Sequence, residues 1–159
     1  MNGLYVGTFD PITIGHLDII QRASKLFDKL YVLVSENSGK HTSLNIEQRK
    51  HFVQLAIKDI PNVKCISCTD KDTTPDIMKN YNITYLVRGA RNAVDMMYEE
   101  TLYKDYIKIN PDIEEILLWS KVDVSSSFVR ECIKYNKWSV VKNFIPVNCF
   151  SDLEHLYHS

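Results

Sequence analysis

The N-terminal segment reads Leu4-Tyr5-Val6-Gly7-Thr8-Phe9-Asp10-Pro11-Ile12-Thr13-Ile14-Gly15-His16. A short apolar run ends in Gly-Thr, and a Gly-His pair follows where Leu17, Ile20 and Ala23 begin to recur at helical spacing. This pattern predicts a strand, a turn and an amphipathic helix. In open α/β folds the carboxyl end of such a strand binds phosphate groups, because the first N–H groups of the next helix are free.

The rest of the chain repeats this alternation of strand and helix. We predict strands at residues 4–6, 30–35, 63–68, 84–87 and 113–119. Asn45 and Gln48 predict a capping box at the start of one helix, Thr74 and Pro75 predict the start of another, and a long helix is expected over residues 93–109. Two short helices are expected to close the chain, one before Pro146 and one from about Asp152. The order predicts a single Rossmann-like, doubly wound α/β domain over residues 1–159, with a five-stranded parallel sheet and C-terminal helices.

Composition excludes several classes of protein. The formal net charge is −1, so the chain lacks the basic surface of a general nucleic-acid binder. No apolar stretch approaches the roughly 20 residues that span a bilayer, and the first residues lack the features of a secretory signal. Cys65 and Cys68 form a C-x-x-C without a second pair, and we interpret them as buried strand cysteines. We therefore expect a cytoplasmic protein with neither nucleic acid nor membrane as a partner.

Two arginines follow the predicted fourth strand in Arg88-Gly89-Ala90-Arg91. Arginines that flank a glycine at the edge of a parallel sheet are suited to holding two separate phosphate groups. The alternative is that they pair with nearby carboxylates such as Asp95 or Glu99. We favour the phosphate clamp, because both arginines precede the long helix and do not lie along its face.

Other polar residues are expected at the same edge of the sheet. Lys40 lies in the loop after the second strand, and Ser125, Ser126 and Ser127 follow the fifth. One serine is enough to cap a helix, so three in a row indicate an anion-binding nest as well as a cap. His16 at the start of the first helix completes the set. Four loops after four parallel strands thus supply groups that bind phosphate.

These motifs resemble the nucleotidyltransferase α/β-phosphodiesterase superfamily, and within it the bacterial phosphopantetheine adenylyltransferase family. The resemblance is carried in order by Gly7-Thr8-Phe9-Asp10-Pro11, Thr13-Ile14-Gly15-His16, Arg88-Gly89-Ala90-Arg91, Tyr98-Glu99 and Ser125-Ser126-Ser127-Phe128-Val129-Arg130. Two positions depart from the family pattern: Val6 stands where proline is usual, and Thr73-Thr74 where apolar residues are frequent.

The resemblance implies an adenylyltransferase that moves AMP from ATP to 4′-phosphopantetheine, giving 3′-dephospho-coenzyme A and pyrophosphate in coenzyme A biosynthesis. It implies contacts to 4′-phosphopantetheine from Thr8, Lys40, Thr74 and Arg88. It implies contacts to ATP from Thr8, Phe9, His16, Gly89, Ala90, Arg91, Glu99, Lys121, Val122, Asp123, Val124, Ser125, Ser126 and Ser127. Catalysis would fall to His16, Thr8, Lys40 and Arg91, with His16 stabilising the transition state.

The family also uses Mg²⁺, forms homohexamers and is often inhibited by coenzyme A. We expect Mg²⁺ to be held mainly through phosphates and predict no protein ligand for it. Because a phosphate monoester is already nucleophilic near neutral pH, we expect direct in-line displacement. Two alternatives remain. One is another adenylyl- or cytidylyltransferase of the superfamily, acting on nicotinamide mononucleotide or an alcohol phosphate. The other is a nucleotide sensor without catalytic activity.

Overall fold

The computed structural model describes residues 1–36, 39, 41–68 and 70–159. It contains a five-stranded, all-parallel sheet in the order β3-β2-β1-β4-β5. The strands are β1 (Asn2–Gly7), β2 (Lys29–Val34), β3 (Val63–Ser67), β4 (Tyr85–Ala90) and β5 (Glu114–Trp119). The predicted Rossmann-like α/β fold is confirmed. The strand order reverses between β1 and β4, and a fold of this kind binds ligands in the crevice beyond the carboxyl ends of the strands at such a point.

Seven helices connect and flank the strands in the described part of the chain. They are α1 (Ile14–Ser24), α2 (Ile46–Ile57), α3 (Thr74–Asn80), α4 (Ala93–Ile109), α5 (Ser126–Lys134), α6 (Trp138–Val141) and α7 (Val147–His158). The capping box that Asn45 and Gln48 predict at α2 is present. At α3 the cap is Thr73 and not Thr74, because Thr73 and Asp76 satisfy each other's backbone N–H groups.

Two predicted boundaries were wrong. β4 continues to Ala90, because Arg88, Gly89 and Ala90 pair in register with β5, so these residues belong to a strand and not to a loop. The last helix begins directly after Pro146 and not near Asp152. Its first turn is held by the buried Cys149, which lies four residues before the buried Leu153 on the same helical face.

The sheet separates two apolar cores, one on each face. Tyr5, Val32 and Val87 belong to one cluster, and Leu4, Leu33 and Leu86 belong to the other. Alternate residues of one strand thus face opposite layers, as a sheet covered by helices on both sides requires.

The interpretation of Cys65 and Cys68 as buried strand cysteines was only partly right. Cys65 lies on β3 and Cys68 just beyond its end, and both are half-buried and unpaired. In the described residues no helix is both long and apolar enough to cross a membrane.

Gly7 is required by a close approach and not by its backbone angles, since the glycines that the structure describes have no positive φ. A Cβ atom built on Gly7 would lie 2.7 Å from the ring of Phe9, which is buried. We expect Gly7→Ala to lower the free energy of unfolding by about 1–3 kcal/mol through this overpacking, measured by urea denaturation. Gly89→Ala is the control for stability, because a Cβ atom there would lie 3.2 Å from its nearest neighbour, Ile19 Cγ1, which is a milder overlap than at Gly7. Equal losses in the two variants would contradict this interpretation.

Candidate active site

The turn between β1 and α1 has an unusual backbone. Phe9 has a φ of 51°, in the left-handed region that bulky residues rarely occupy. The following Asp10–Pro11 peptide is cis. The Asp10 carboxylate accepts hydrogen bonds from the backbone N–H groups of Ser43 (2.8 Å) and Leu44 (2.9 Å). A positive φ at a bulky residue is a strain that tends to occur at functional sites, and the Phe9 ring lies 5.0 Å from the ring of His16.

His16 is held in one orientation at the start of α1. Its Nδ1 atom accepts a hydrogen bond from the backbone N–H of Thr13 at 3.0 Å, which completes a capping box. Burial and the positive charge of Arg91 lower the pKa of His16 from 6.5 to about 4. The imidazole is therefore neutral at physiological pH. Because Nδ1 is an acceptor, the ring proton is on Nε2, and His16 is a hydrogen-bond donor on that side.

Two adjoining cavities lie around His16 at the carboxyl edge of the sheet. The first has a volume of about 370 Å³, and its polar lining includes His16, Arg88, Arg91, Glu99, Ser125 and Ser126. The second has a volume of about 500 Å³, and its lining includes Thr8, Phe9, His16, Ser126, Ser127 and Arg130. His16 and Ser126 line both. The structure thus brings together predicted residues from the ends of β1, β4 and β5.

The Arg88 guanidinium is not free. Nε and Nη2 donate to the two carboxylate oxygens of Glu99 at 2.7 and 2.9 Å, and Nη1 donates to the Val6 carbonyl at 2.9 Å. Arg91 also lies near a carboxylate, with its Nε 3.5 Å from Asp95 Oδ2. The pairing with carboxylates that the sequence analysis gave as the alternative therefore occurs at both arginines. Three of the five N–H donors of Arg88 are engaged, so two remain for a ligand in the cavity that it lines.

The three serines at the start of α5 already have partners for their hydroxyls. Ser125 caps the helix by accepting from Phe128 N–H, Ser126 Oγ donates to the Pro11 carbonyl at 2.8 Å, and Ser127 Oγ accepts from Arg130. The Ser126 hydroxyl thus joins α5 to the β1–α1 turn, and the hydroxyls of Ser125 and Ser127 bond to groups of α5 itself. The backbone N–H groups at the start of α5 remain suited to an anion, since the first amides of a helix have no partner within it.

Comparison with known proteins agrees with this geometry. The cytidylyltransferase-like family matches residues 4–142. A Streptococcus pneumoniae protein named phosphopantetheine adenylyltransferase is 46% identical over 138 residues, which is 85% of each chain. The protein of that name from another strain is 44% identical over the same share. The chain belongs to the phosphopantetheine adenylyltransferase family.

A solved structure extends the likeness in fold beyond this phosphopantetheine adenylyltransferase family. Plasmodium falciparum nicotinic acid mononucleotide adenylyltransferase, complexed with NaAD, superposes with a TM-score of 0.69. The match covers 99% of this chain and 97% of the other at 18% identity. At that identity the similarity concerns the fold alone.

The remaining residues that the phosphopantetheine adenylyltransferase family pattern assigns lie in different places. Lys121 and Asp123 line a third cavity of about 380 Å³ that shares Arg91 with the first. Val124 and Gly89 line the first cavity, Ala90 is buried, and the Val122 carbonyl accepts from Ser120 Oγ. Thr74, at the start of α3, is not among the residues that line these three cavities. Lys40 lies outside the described residues.

Arg49 is a site-supporting residue that the sequence analysis missed. Its side chain is buried and donates to the backbone carbonyls of Thr8 (2.8 Å), Ser35 (2.8 Å) and Leu44 (3.2 Å). It therefore joins the ends of β1 and β2 to the start of α2. An arginine within an amphipathic helix is ordinarily expected on the solvent face, so the helical pattern alone gave no signal for this role.

We expect Arg49→Met to lower the free energy of unfolding by about 2 kcal/mol or more, because one buried and two partly buried carbonyls lose their donor. Urea denaturation measures this loss. Lys50→Met is the matched control on the same helix, since Lys50 Nζ forms a 3.8 Å ion pair with the exposed carboxylate of Glu47. A loss for Arg49→Met no larger than that for Lys50→Met would contradict the assigned role.

Proposed function

We propose that this protein transfers AMP from ATP to 4′-phosphopantetheine, forming 3′-dephospho-coenzyme A and pyrophosphate. The observation that carries the proposal is the position of neutral, oriented His16 in the wall shared by two cavities. One cavity contains Arg88 and the other contains Thr8 and the start of α5. Such an arrangement suits two phosphate-bearing substrates that meet at one imidazole donor, each of them in contact with residues of both cavities. Membership of the phosphopantetheine adenylyltransferase family supports the same reaction.

The nucleophile in this proposal is the phosphate of 4′-phosphopantetheine. Its second pKa is about 6, so at neutral pH it is largely a dianion and needs no general base. A phosphate oxygen forms the new bond to the α-phosphorus of ATP, the bond from that phosphorus to the bridging oxygen breaks, and pyrophosphate leaves. Arg88 and Thr8 would hold the nucleophile, with Lys40 as a third proposed contact. Positioning of this kind supplies much of the catalysis in phosphoryl transfer.

The donors around the α-phosphate would stabilise the charge that develops as the bonds change. His16 Nε2–H would donate to an α-phosphate oxygen, and this interaction strengthens as charge accumulates there. Arg91 and the first amides of α5 would bind the departing pyrophosphate, because a helix start and a guanidinium both favour anions. Glu99 would act through Arg88, which it holds by two hydrogen bonds.

Mg²⁺ is the proposed metal, and the described residues provide no cage for it. Those residues contain no group of three or more His, Cys, Asp or Glu side chains that could hold a metal ion. Glu99 is bound to Arg88, and Asp95 accepts from the backbone N–H of Arg91. We propose that Mg²⁺ is held mainly by phosphate oxygens, the usual arrangement for nucleotides. When bound, the ion would offset the negative charge of the polyphosphate.

The proposal is tested by incubating the protein with ATP and 4′-phosphopantetheine. Chromatography then measures how much 3′-dephospho-coenzyme A has formed. Parallel reactions replace the acceptor by nicotinamide mononucleotide or an alcohol phosphate, and ATP by CTP. We expect pyrophosphate release only with ATP and 4′-phosphopantetheine. Release with another pair would support a different transferase of the superfamily. Tight ATP binding without release across the panel would support a nucleotide sensor.

Direct displacement also fixes the stereochemistry. The substrate for this test is ATP in which sulfur replaces one α-phosphate oxygen, so that the α-phosphorus is chiral. We expect inversion of configuration at this phosphorus in the product, because one in-line attack inverts the centre once. Phosphorus NMR of the product measures the outcome. Net retention would require a covalent adenylyl-enzyme and would contradict the mechanism.

We further propose one nucleotidyltransferase domain over residues 1–159, a cytoplasmic location and assembly as a homohexamer. The support for assembly is helix α4, in which Glu99 alone is buried, while Val94 and Met97 are 74% and 67% exposed. The edge strand β5 lies beside it, with Trp119 exposed. Exposed apolar helix faces and unpaired sheet edges commonly mark association surfaces. Light scattering after size-exclusion chromatography should give the mass of six copies of the chain.

We also propose that coenzyme A binds to this protein as an inhibitor.

A further inference from the structure

Glu115 is a partly buried acid for which the proposed mechanism has no role. In the part of the chain that the structure describes, its Oε1 is the one buried side-chain oxygen or nitrogen without a hydrogen-bond partner. Glu115 lies on edge strand β5, paired in register with Leu86 of β4. Arg88 lies two residues further along β4, so its side chain leaves the sheet on the same face. The unpartnered carboxyl is therefore behind the proposed phosphate clamp.

The titratable groups that face Glu115 come from three elements, α4, β4 and β5 itself. Helix α4 contributes Glu99, Glu100 and Tyr103 to a groove of about 560 Å³ that Glu115 also lines, and β5 itself contributes Glu114. Of these groups Glu100 is paired with Lys104, and the Tyr103 hydroxyl donates to the Ile113 carbonyl. β4 contributes Arg88, whose charge is balanced by Glu99. With Glu115 protonated, the Arg88–Glu99–Glu115 cluster is neutral, and with Glu115 ionised it carries one negative charge.

We propose that Glu115 sets the affinity of the Arg88 site for a phosphate dianion by gaining or losing one proton behind the Arg88–Glu99 pair. The inference rests on the proposed function, because it takes the ligand at Arg88 to be the phosphate of 4′-phosphopantetheine. An added negative charge next to Glu99 weakens the attraction of the clamp for an incoming dianion. In a partly buried site that charge is screened much less than it would be at the surface.

The ionisation falls in the physiological range. Burial, together with the negative charge of Glu99, raises the pKa of Glu115 from 4.5 to about 7, and Arg88 opposes the rise only in part. Below that pH the carboxyl is protonated and the clamp keeps its full attraction for phosphate. Above it, Glu115 ionises and affinity falls. His16 does not titrate in this interval, since its pKa is about 4.

The test compares the dissociation constant of 4′-phosphopantetheine in the full-length protein and in Glu115→Gln, by calorimetry at about pH 5.5 and about pH 8.5. Glutamine has the same shape and cannot ionise. We expect the ratio of wild-type to variant dissociation constants to be near one at the lower pH and about 5 to 10 at the higher pH. Ionisation of the ligand itself cancels in the ratio. Glu114→Gln, at the exposed carboxyl next to Glu115 on the same strand, is the matched control and should give a constant ratio.

A second measurement does not depend on the variant. Carbon NMR of the Glu115 carboxyl in wild-type protein should show a titration near neutral pH whose midpoint rises when 4′-phosphopantetheine is added, since linkage is reciprocal. A constant dissociation-constant ratio, or a midpoint that the ligand leaves unchanged, overturns the inference. Absence of binding at both pH values contradicts the proposed function and the inference with it. A shifted ratio without turnover supports the inference and contradicts the reaction alone.

Discussion

Replacement of His16 by alanine is expected to lower kcat about 100- to 1,000-fold, the usual effect of removing one donor to a developing oxyanion. The structure gives the reason, because Nδ1 is held by Thr13 N–H and the donor side is left for the α-phosphate. KM for both substrates should change little, since the interaction strengthens in the transition state. Steady-state measurement of 3′-dephospho-coenzyme A formation gives both constants.

Two controls separate catalysis from structure in this experiment. His155→Ala changes an exposed histidine on α7 that lines neither cavity, and should leave kcat unchanged. His16→Gln retains a side-chain amide donor and should recover part of the lost rate. The pH profile of kcat/KM should show no ionisation of His16 between about pH 5.5 and 8, because the pKa of the free enzyme's imidazole is about 4. Near wild-type turnover in His16→Ala would remove His16 from the mechanism.

Replacement of Arg88 by alanine is expected to raise KM for 4′-phosphopantetheine about 100-fold while changing KM for ATP far less. Loss of a charge-assisted contact to a partly buried phosphate is worth about 2–5 kcal/mol. The same change leaves Glu99 buried without its guanidinium, so part of the loss could come from structural damage.

Arg88→Met combined with Glu99→Gln removes that second effect. The double variant has no unpaired buried charge, so its thermal stability should approach that of the wild type while KM for 4′-phosphopantetheine stays high. Arg88→Lys keeps a positive charge but loses the forked geometry, and we expect an intermediate KM. A larger rise in KM for ATP than for 4′-phosphopantetheine would reverse the two proposed clamps.

Features with a strong local signal could be predicted from the sequence. The five strands and the order of helices followed from apolar runs and helical spacing, and the capping box at Asn45 was confirmed to the residue. The polar residues at the carboxyl ends of the strands could be grouped because parallel strands place those ends at one edge. His16, Arg88, Arg91 and Ser126 do line one cavity.

Features that depend on distant elements could not be predicted in this way. Arg88 pairs with Glu99 because β4 continues past the expected end and α4 returns over the same face. Arg49 is buried because three carbonyls from separate segments converge on it. Glu115 has an ordinary place in a strand pattern, and only the register with β4 places it near Arg88. In each case contacts between distant elements determine whether the charged side chain is paired, buried or left without a partner.

The shared wall at His16 has a consequence for inhibitor design. A compound with one anionic head for each cavity and a short linker across the imidazole would bind its second head as an intramolecular event. The effective concentration of that head would be in the millimolar range, so two weak fragments could combine into one tight ligand without any new contact to the protein. The linker needs only to pass the Nε2 side of the ring, because the opposite side is occupied by Thr13.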